Sequence, residues 1–174
     1  TEEKGKSHIF DQTKLHHYKL EVAAADWAWL QKNALKEEYV PAKLVFEGKR
    51  YFGAAVRYKG DWTSLKSCFD ASGKQTCPKL SLKVRFNKYE SCGRFHGLRR
   101  LLFNSSRTDS SFLRERSALN LMQDLGMRAS RATHATLSVN GKSLGIFVMV
   151  EQVDKELLED HFKEPDGNLY KQIW

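Results

Sequence analysis

The sequence predicts an α+β fold in which an antiparallel sheet packs against a few helices. Its 174 residues, with 41% hydrophobic and 29% charged side chains, have the size and composition of one globular domain. Stretches in which apolar and polar residues alternate, as in half-buried strands, outnumber stretches with helical spacing. Turn residues join several of these stretches in pairs, which favours antiparallel hairpins. No repeat or proline-rich linker divides the chain, so residues 1–174 are expected to form a single domain.

Most of the first 103 residues are predicted to be strands. A strand over 14–22 precedes a short helix that Asp26 is expected to cap. Gly48 then supplies the turn of a hairpin. The remaining predicted segments are the hairpin strands 42–46 and 51–59, a long polar loop over 60–78, a strand over 80–87 and an extended run over 98–103.

A second hairpin and a final helix are predicted towards the C-terminal end. Asn140-Gly141 separates the strands 133–139 and 143–152, and this dipeptide strongly favours the tight turn of a two-residue hairpin. Asp154 is expected to cap the helix that follows.

The charge and hydropathy patterns limit the classes of partner. The net charge is +8, but the basic residues are spread along the chain without a basic tail, so a nucleic-acid partner is not expected. No apolar run approaches the roughly 18 residues that a membrane span requires, so no membrane span is expected either.

The three cysteines bear on the redox compartment in which the protein resides. Cys68 and Cys77 flank a loop short enough to be closed by one bridge, and Cys92 is left over. A disulfide between Cys68 and Cys77 would indicate an exported protein. Three ordinary thiols are the alternative.

A predicted helix between residue 110 and Leu125 carries a carboxylate in an unusual place. Glu115 lies in the middle of an apolar stripe that consists of Phe112, Ala118, Leu119, Met122 and Leu125. A carboxylate removed from water is costly unless a cation and hydrogen bonds meet it. Glu115 is therefore expected to have a buried cationic partner, unless it lies in a solvated first turn favoured by the helix dipole.

Lys83 is the predicted partner of Glu115. In the strand LSLKVRF, the apolar residues share one face, and Lys83 lies on the other face with Ser81 and Arg85. A strand lysine that an inward glutamate on the next helix orients towards phosphate oxygens is the arrangement of protein kinases. The sequence therefore predicts an atypical protein-kinase-like N-lobe, although a lysine on an alternating strand most often faces solvent.

The end of the last predicted strand resembles the connection that reads adenine in kinases. The segment VMVEQVD leads into the final helix, and backbone groups around Met149 and Glu151 are the predicted contacts to the base. A simple strand-to-helix turn is the alternative.

Five blocks of sequence, in order, resemble the spore coat protein H (CotH) kinase family. They cover most of the chain from 40 to 171 and are VRYKGDW at 56–62, KLSLKVRFNKY at 79–89, RFHGLRRLLFNSSRTDSSFLRERSALNLMQDLGMRASRA at 94–132, LSVNGKSLGIFVMVEQVDKELLEDHF at 137–162 and GNLYK at 167–171. The resemblance implies ATP-dependent phosphorylation of protein serines, with Mg or Mn, by a protein that is extracellular or on a cell or spore surface. By the same resemblance, Lys83 contacts the ATP phosphates and Glu115 pairs with it.

The chain departs from the usual kinase pattern in two ways. The turn after residue 46 is not a glycine-rich loop, so Arg57, Lys59 and Gly60 are expected to cover the phosphates instead. The metal-binding and catalytic aspartates of the family would follow GNLYK. This chain is therefore expected to be a nucleotide-binding amino-terminal portion, truncated before the C-lobe, inactive alone, and completed by the rest of the protein or by a second chain.

His16 and His17 alternate across a strand, and His96, His134 and His161 are isolated along the chain, so no metal site is expected within it. The alternative function is that of a non-catalytic surface, spore-coat or adhesion protein with the same fold.

Overall fold

The computed structural model describes residues 5–61 and 63–170. In this part of the chain, seven strands form one closed barrel, in the order β1-β2-β3-β4-β5-β7-β6. The strands are β1 (His16–Glu21), β2 (Val40–Phe46), β3 (Lys49–Tyr58), β4 (Leu82–Arg85), β5 (Arg100–Asn104), β6 (Ala132–Val139) and β7 (Lys142–Glu151). The helices are α1 (Lys6–Ile9), α2 (Ala24–Lys32), α3 (Arg114–Asp124) and α4 (Lys155–His161).

The predicted α+β fold, with a kinase-like N-lobe sheet and packed helices, is wrong. The sheet is mixed and closed because β1 pairs in parallel with β6, from His16 opposite Ala135 to Leu20 opposite Val139. The other neighbouring strands are antiparallel. Hairpin signals in the sequence predict local antiparallel pairs, but they carry no information about a parallel pairing between strands more than a hundred residues apart.

The two predicted hairpins are confirmed. Asn140 and Gly141 connect β6 to β7, and both have positive φ, of 49° and 82°, as the tight hairpin turn requires. Glu47 and Gly48 connect β2 to β3 with φ of 47° and 77°.

Aromatic side chains fill the barrel. In β1, β2 and β4, buried residues alternate with more exposed ones, so every second side chain of these strands points into the interior. Tyr18 stacks on Phe46 with ring centroids 4.7 Å apart, and Phe86 stacks on Phe95 at 5.1 Å. Phe103 meets Tyr18 edge-to-face at 5.3 Å. This packed interior leaves functional side chains to the outer face of the barrel.

A second, smaller apolar cluster fixes α3 on the outside of the barrel. It consists of Leu102, Ala132, Val148 and Val150 of the sheet, with Phe112 and Leu119 packed against them. The predicted apolar stripe of the helix is therefore only partly buried. Met122 is 40% exposed and Leu125 is 70% exposed.

The described residues contain no helix that is both long and apolar enough to cross a membrane.

The predicted disulfide is present. Cys68 and Cys77 are bonded, and Cys92 is a free, exposed thiol. Closing a loop of this length reduces the conformational entropy of the unfolded chain and is worth about 3 kcal/mol in the chain-entropy model.

Thiol titration of the unfolded, unreduced chain is expected to find one free cysteine. Three titratable thiols would contradict the disulfide between Cys68 and Cys77.

The double variant Cys68→Ala/Cys77→Ala is expected to lower the free energy of unfolding by about 3 kcal/mol, measured by urea denaturation. Cys92→Ser is the matched control and should change the free energy of unfolding by less than about 0.5 kcal/mol.

Candidate functional site

The strand register brings three polar residues together on the outer face of the barrel. Tyr58 lies opposite Leu82, and Leu82 lies opposite Phe103, with all three side chains in the barrel core. The residues next to them, Lys59, Ser81 and Asn104, are therefore neighbours on the opposite face. The Lys59 amide donates to the Ser81 carbonyl at 3.0 Å, which extends the hydrogen bonding between β3 and β4 to the row formed by Lys59, Ser81 and Asn104.

An asparagine links the Lys59 ammonium to the Glu115 carboxylate. Lys59 Nζ donates to Asn104 Oδ1 at 2.8 Å, and Asn104 Nδ2 donates to Glu115 Oε1 at 2.6 Å. Because an amide has both a donor and an acceptor, Asn104 orients both charged groups. Glu115 is placed there by α3, which the outer apolar cluster holds against the sheet.

Burial and charge act in opposite directions on this pair. Burial lowers the pKa of the Lys59 ammonium, and the negative charge of Glu115 raises it. Burial likewise raises the pKa of Glu115, while the hydrogen bond from Asn104 and the charge of Lys59 lower it. The two groups are therefore partly desolvated and stabilise each other's charged forms.

The pair faces a cavity of about 460 Å³ that is rich in hydrogen-bond donors. A guanidinium, that of Arg107, also lines it. The other lining residues, mostly hydroxyl-bearing, are Thr63, Ser64, Ser81, Ser105, Ser106 and Thr108, with Lys59, Asn104 and Glu115. The cations and hydroxyl groups of this wall suit an anionic ligand with several oxygen atoms.

The loop after β3 folds tightly over one side of the cavity. Gly60 has φ of +154°, and a Cβ atom at this position would lie 2.6 Å from both Leu65 Cβ and Ser64 Oγ. A glycine is therefore required here. Arg107 Nη2 donates to the Thr63 carbonyl at 2.9 Å, which ties the loop to the segment after β5.

Asp61 organises this loop. Its Oδ1 accepts hydrogen bonds from Ser64 Oγ at 2.8 Å, the Ser64 amide at 2.8 Å and Thr63 Oγ1 at 2.9 Å. The bonds from the Ser64 and Thr63 hydroxyls and the Ser64 amide lower the pKa of Asp61 to about 2, because they stabilise the ionised carboxylate.

Lys83, the predicted partner of Glu115, lies in the next row of the same face. It is opposite Arg57 on β3 and Leu102 on β5. Its Nζ donates to Gln152 Oε1 at 2.9 Å, towards the end of β5 remote from Asn104. Glu115 accepts its hydrogen bond from Asn104, and the positive charge that lowers its pKa is that of Lys59.

The other residues predicted for phosphate binding divide into two groups. Lys59 lines the cavity, and Gly60 forms the tight connection beside it. Arg57 instead pairs with Glu37 and donates to the Tyr58 carbonyl at 3.0 Å. Its positive charge is still close enough to lower the pKa of Lys59.

The two residues predicted to read adenine lie within β7, which pairs with strands on both sides. The Met149 side chain is buried in the barrel core. Glu151 forms a bidentate pair with Arg131, with distances of 2.9 and 2.5 Å, and its amide donates to the Arg131 carbonyl at 2.9 Å. Recognition of adenine by these residues stays a prediction.

Sequence reasoning missed the central role of Asn104. A signal was present, since Asn104 is the polar residue that ends the apolar run LLF and precedes two serines. Its significance depends on the pairing of β5 with β4, which places it in the row of Lys59.

A double-mutant cycle tests the link between Lys59 and Glu115. Lys59→Met and Glu115→Gln are expected to show a coupling energy of about 1 kcal/mol in urea unfolding, a modest value because Glu115 is partly exposed. Lys83→Met with Glu115→Gln is the matched control cycle and should be additive within about 0.5 kcal/mol. A larger coupling energy between Lys83 and Glu115 than between Lys59 and Glu115 would contradict the pairing of Lys59 with Glu115.

The Asp61 carboxylate predicts a loss of stability in acid. Because its pKa in the folded state is lowered from 3.8 to about 2, its contribution is present above 3.8 and disappears as the pH falls from that value through about 2. The free energy of unfolding, measured from about pH 5 to about pH 2, should fall less steeply in Asp61→Asn than in the unmodified chain. Parallel curves for the two proteins would rule out this role for Asp61.

Comparisons with known proteins agree on one family. A family model described as CotH kinase protein matches residues 56–173, a segment that contains Lys59, Asn104 and Glu115. The chain is also 26% identical over 163 residues to the inner spore coat protein H of Bacillus subtilis (strain 168). That alignment covers 94% of this chain and 41% of the length of the relative. The chain therefore belongs to the CotH kinase protein family, as the sequence blocks predicted.

Proposed function

We propose that this chain is the nucleotide-binding portion of an ATP-dependent protein serine kinase, in which Lys59 binds the phosphates of ATP. One observation carries the proposal. A partly desolvated ammonium, oriented through Asn104 by Glu115, faces a cavity lined by hydroxyl groups and Arg107.

The chemistry of the cavity fits phosphate oxygens. A lysine ammonium has three N–H donors, and the hydrogen bond to Asn104 uses one of them. In the wall of the cavity, Ser106 and Thr108 supply hydroxyl donors, and Arg107 supplies a second positive charge. In a site that excludes part of the water, such charges act more strongly on a polyanion than they would in bulk solvent.

Lys59 thus takes the role that sequence reasoning gave to Lys83. The two lysines lie on the same face of adjacent strands, one row apart. Lys59 has the relation to Glu115 that a phosphate-positioning lysine needs, because the carboxylate supports its charged form and Asn104 fixes its direction.

The residues of this chain bind and orient the phosphates, and other groups complete the reaction. A divalent ion, Mg or Mn, would neutralise charge that develops on the phosphates during transfer. Cavity-lining residues are chiefly donors and cations, which fit the nucleotide rather than the metal ion. The catalytic carboxylates are assigned to the rest of the protein or to a second chain, and the phosphate acceptor is a serine-rich protein substrate.

The proposed location is outside the cell or on a spore surface. The relative from Bacillus subtilis is a spore coat protein by name. The bond between Cys68 and Cys77 supports this location, because disulfides persist in oxidising compartments.

The intact protein is expected to transfer labelled phosphate from ATP to a serine-rich protein. Lys59→Ala and Glu115→Ala should each lower kcat/KM for ATP by at least about 100-fold, because each removes or misdirects a charge that stabilises the transferring phosphate. Phosphate incorporation and direct ATP binding are both measured, so that binding and transfer can be separated.

Two lysine variants serve as comparisons. Lys19→Ala, on the exposed side of β1, is the matched control and should retain full activity. Lys83→Ala should affect transfer less than Lys59→Ala does. Equal loss in both variants would contradict the assignment of Lys59, and intact protein that neither binds ATP nor transfers phosphate would favour a non-catalytic coat protein.

A further inference from the structure

Two histidines and a glutamate from three separate segments meet at one end of the barrel. His8 belongs to α1, His16 begins β1, and Glu47 lies in the turn between β2 and β3. One ligand atom from each residue lies within 4.8 Å of the other two. None of the three residues lines the cavity beside Glu115.

The hydrogen bonds of His16 define which of its nitrogens faces the cluster. Its Nε2 lies 2.9 Å from the backbone carbonyl oxygen of His8. Because a carbonyl oxygen only accepts, Nε2 carries the proton. In the neutral ring, the lone pair of Nδ1 then faces Glu47 Oε1 at 3.8 Å. A proton or a cation between these two acceptors would stabilise them.

The second histidine completes the arrangement. His8 Nε2 lies 2.8 Å from the same oxygen, Glu47 Oε1. Both imidazole rings are mostly buried, with side-chain exposures of 10% for His8 and 7% for His16, whereas that of Glu47 is 46%. The two rings are thus held by the protein, and the carboxylate can adjust from the solvent side.

We propose that His8 Nε2, His16 Nδ1 and the Glu47 carboxylate form a binding site for a divalent transition-metal ion of the zinc class. Two imidazoles and one carboxylate suit zinc, with an open fourth position for water. At metal–ligand distances of about 2.0–2.2 Å, tetrahedral ligand atoms are about 3.3–3.6 Å apart. The two separations from Glu47 Oε1, 2.8 and 3.8 Å, lie on either side of that range.

The surroundings support the site in the way that outer-shell groups support known metal centres. The His8 carbonyl fixes the tautomer and the orientation of the His16 ring. Phe46 meets the two rings edge-on, with centroids 6.0 Å from His8 and 5.1 Å from His16.

The site would fasten the N-terminal segment to the barrel. Its ligands come from α1, from the first residue of the strand that closes the barrel and from the β2–β3 turn. Metal binding is therefore expected to stabilise the folded chain, because the unfolded chain does not bring these segments together. Sequence reasoning compared His16 with His17, which lies on the other face of β1, and did not consider His8 in a different element.

The experiment uses the chain with Cys92→Ser, which removes an exposed thiol that could bind zinc. Calorimetric titration with zinc chloride is expected to show one equivalent bound, and zinc should raise the melting temperature. Cobalt(II) should give the visible absorption bands of a tetrahedral nitrogen- and oxygen-ligated ion. His8→Asn, His16→Asn and Glu47→Gln should each weaken zinc binding by at least about tenfold.

His17→Asn is the matched control, since His17 bonds to Thr136 Oγ1 at 2.8 Å and does not belong to the cluster. It should bind zinc as the parent does. Circular dichroism checks that each variant folds, and His8→Asn lies outside the sheet, so it tests the site without altering a barrel strand. Absence of zinc binding in the Cys92→Ser chain, or unchanged affinity in His8→Asn and Glu47→Gln, would overturn the proposal. Neither readout involves ATP, so the result is independent of the proposed kinase function.

Discussion

The position of the Lys59 ammonium depends on a single amide. Asn104 accepts a hydrogen bond from Lys59 with its oxygen and donates one to Glu115 with its nitrogen. Burial would disfavour the charged form of either group alone. The opposite charge of the other group offsets this effect. The arrangement needs three separate parts of the chain: the end of β3, the end of β5 and the first turn of α3. The fold is what brings these parts together.

Closure of the barrel makes the outer face available for this task. Aromatic and aliphatic side chains fill the interior, so polar side chains at the strand ends must point outwards. α3 then lies over the outer apolar cluster, and its charged residue Glu115 reaches the row that contains Lys59 and Asn104. The parallel pairing of β1 with β6 also brings His16 to the end of the barrel where His8 and Glu47 meet it. The two proposed sites thus arise from the same closed sheet, although they share no residue.

Local features of the fold were predictable from the sequence, and long-range ones were not. Asn140-Gly141 specifies its hairpin because few residues tolerate positive φ, and the short spacing of Cys68 and Cys77 permits their bond. Closure through β1 and β6 left no local signal, so an antiparallel sheet with packed helices was predicted wrongly. The need of Glu115 for a cationic partner was also predictable, since burial of a carboxylate is costly. The identity of that partner was not predictable, because Lys59 and Lys83 share a face and only the register decides between them.

The most direct test of the central claim is to label the lysine that lies beside the ATP phosphates. An acyl-phosphate derivative of ATP transfers its acyl group to a nearby lysine amine. The full-length protein is labelled and digested, and mass spectrometry of its peptides then identifies the modified residue. We expect labelling of Lys59 that excess ATP suppresses, with Lys83 unlabelled. Labelling of Lys83 in preference to Lys59, suppressed by ATP in the same way, would contradict the proposed role of Lys59.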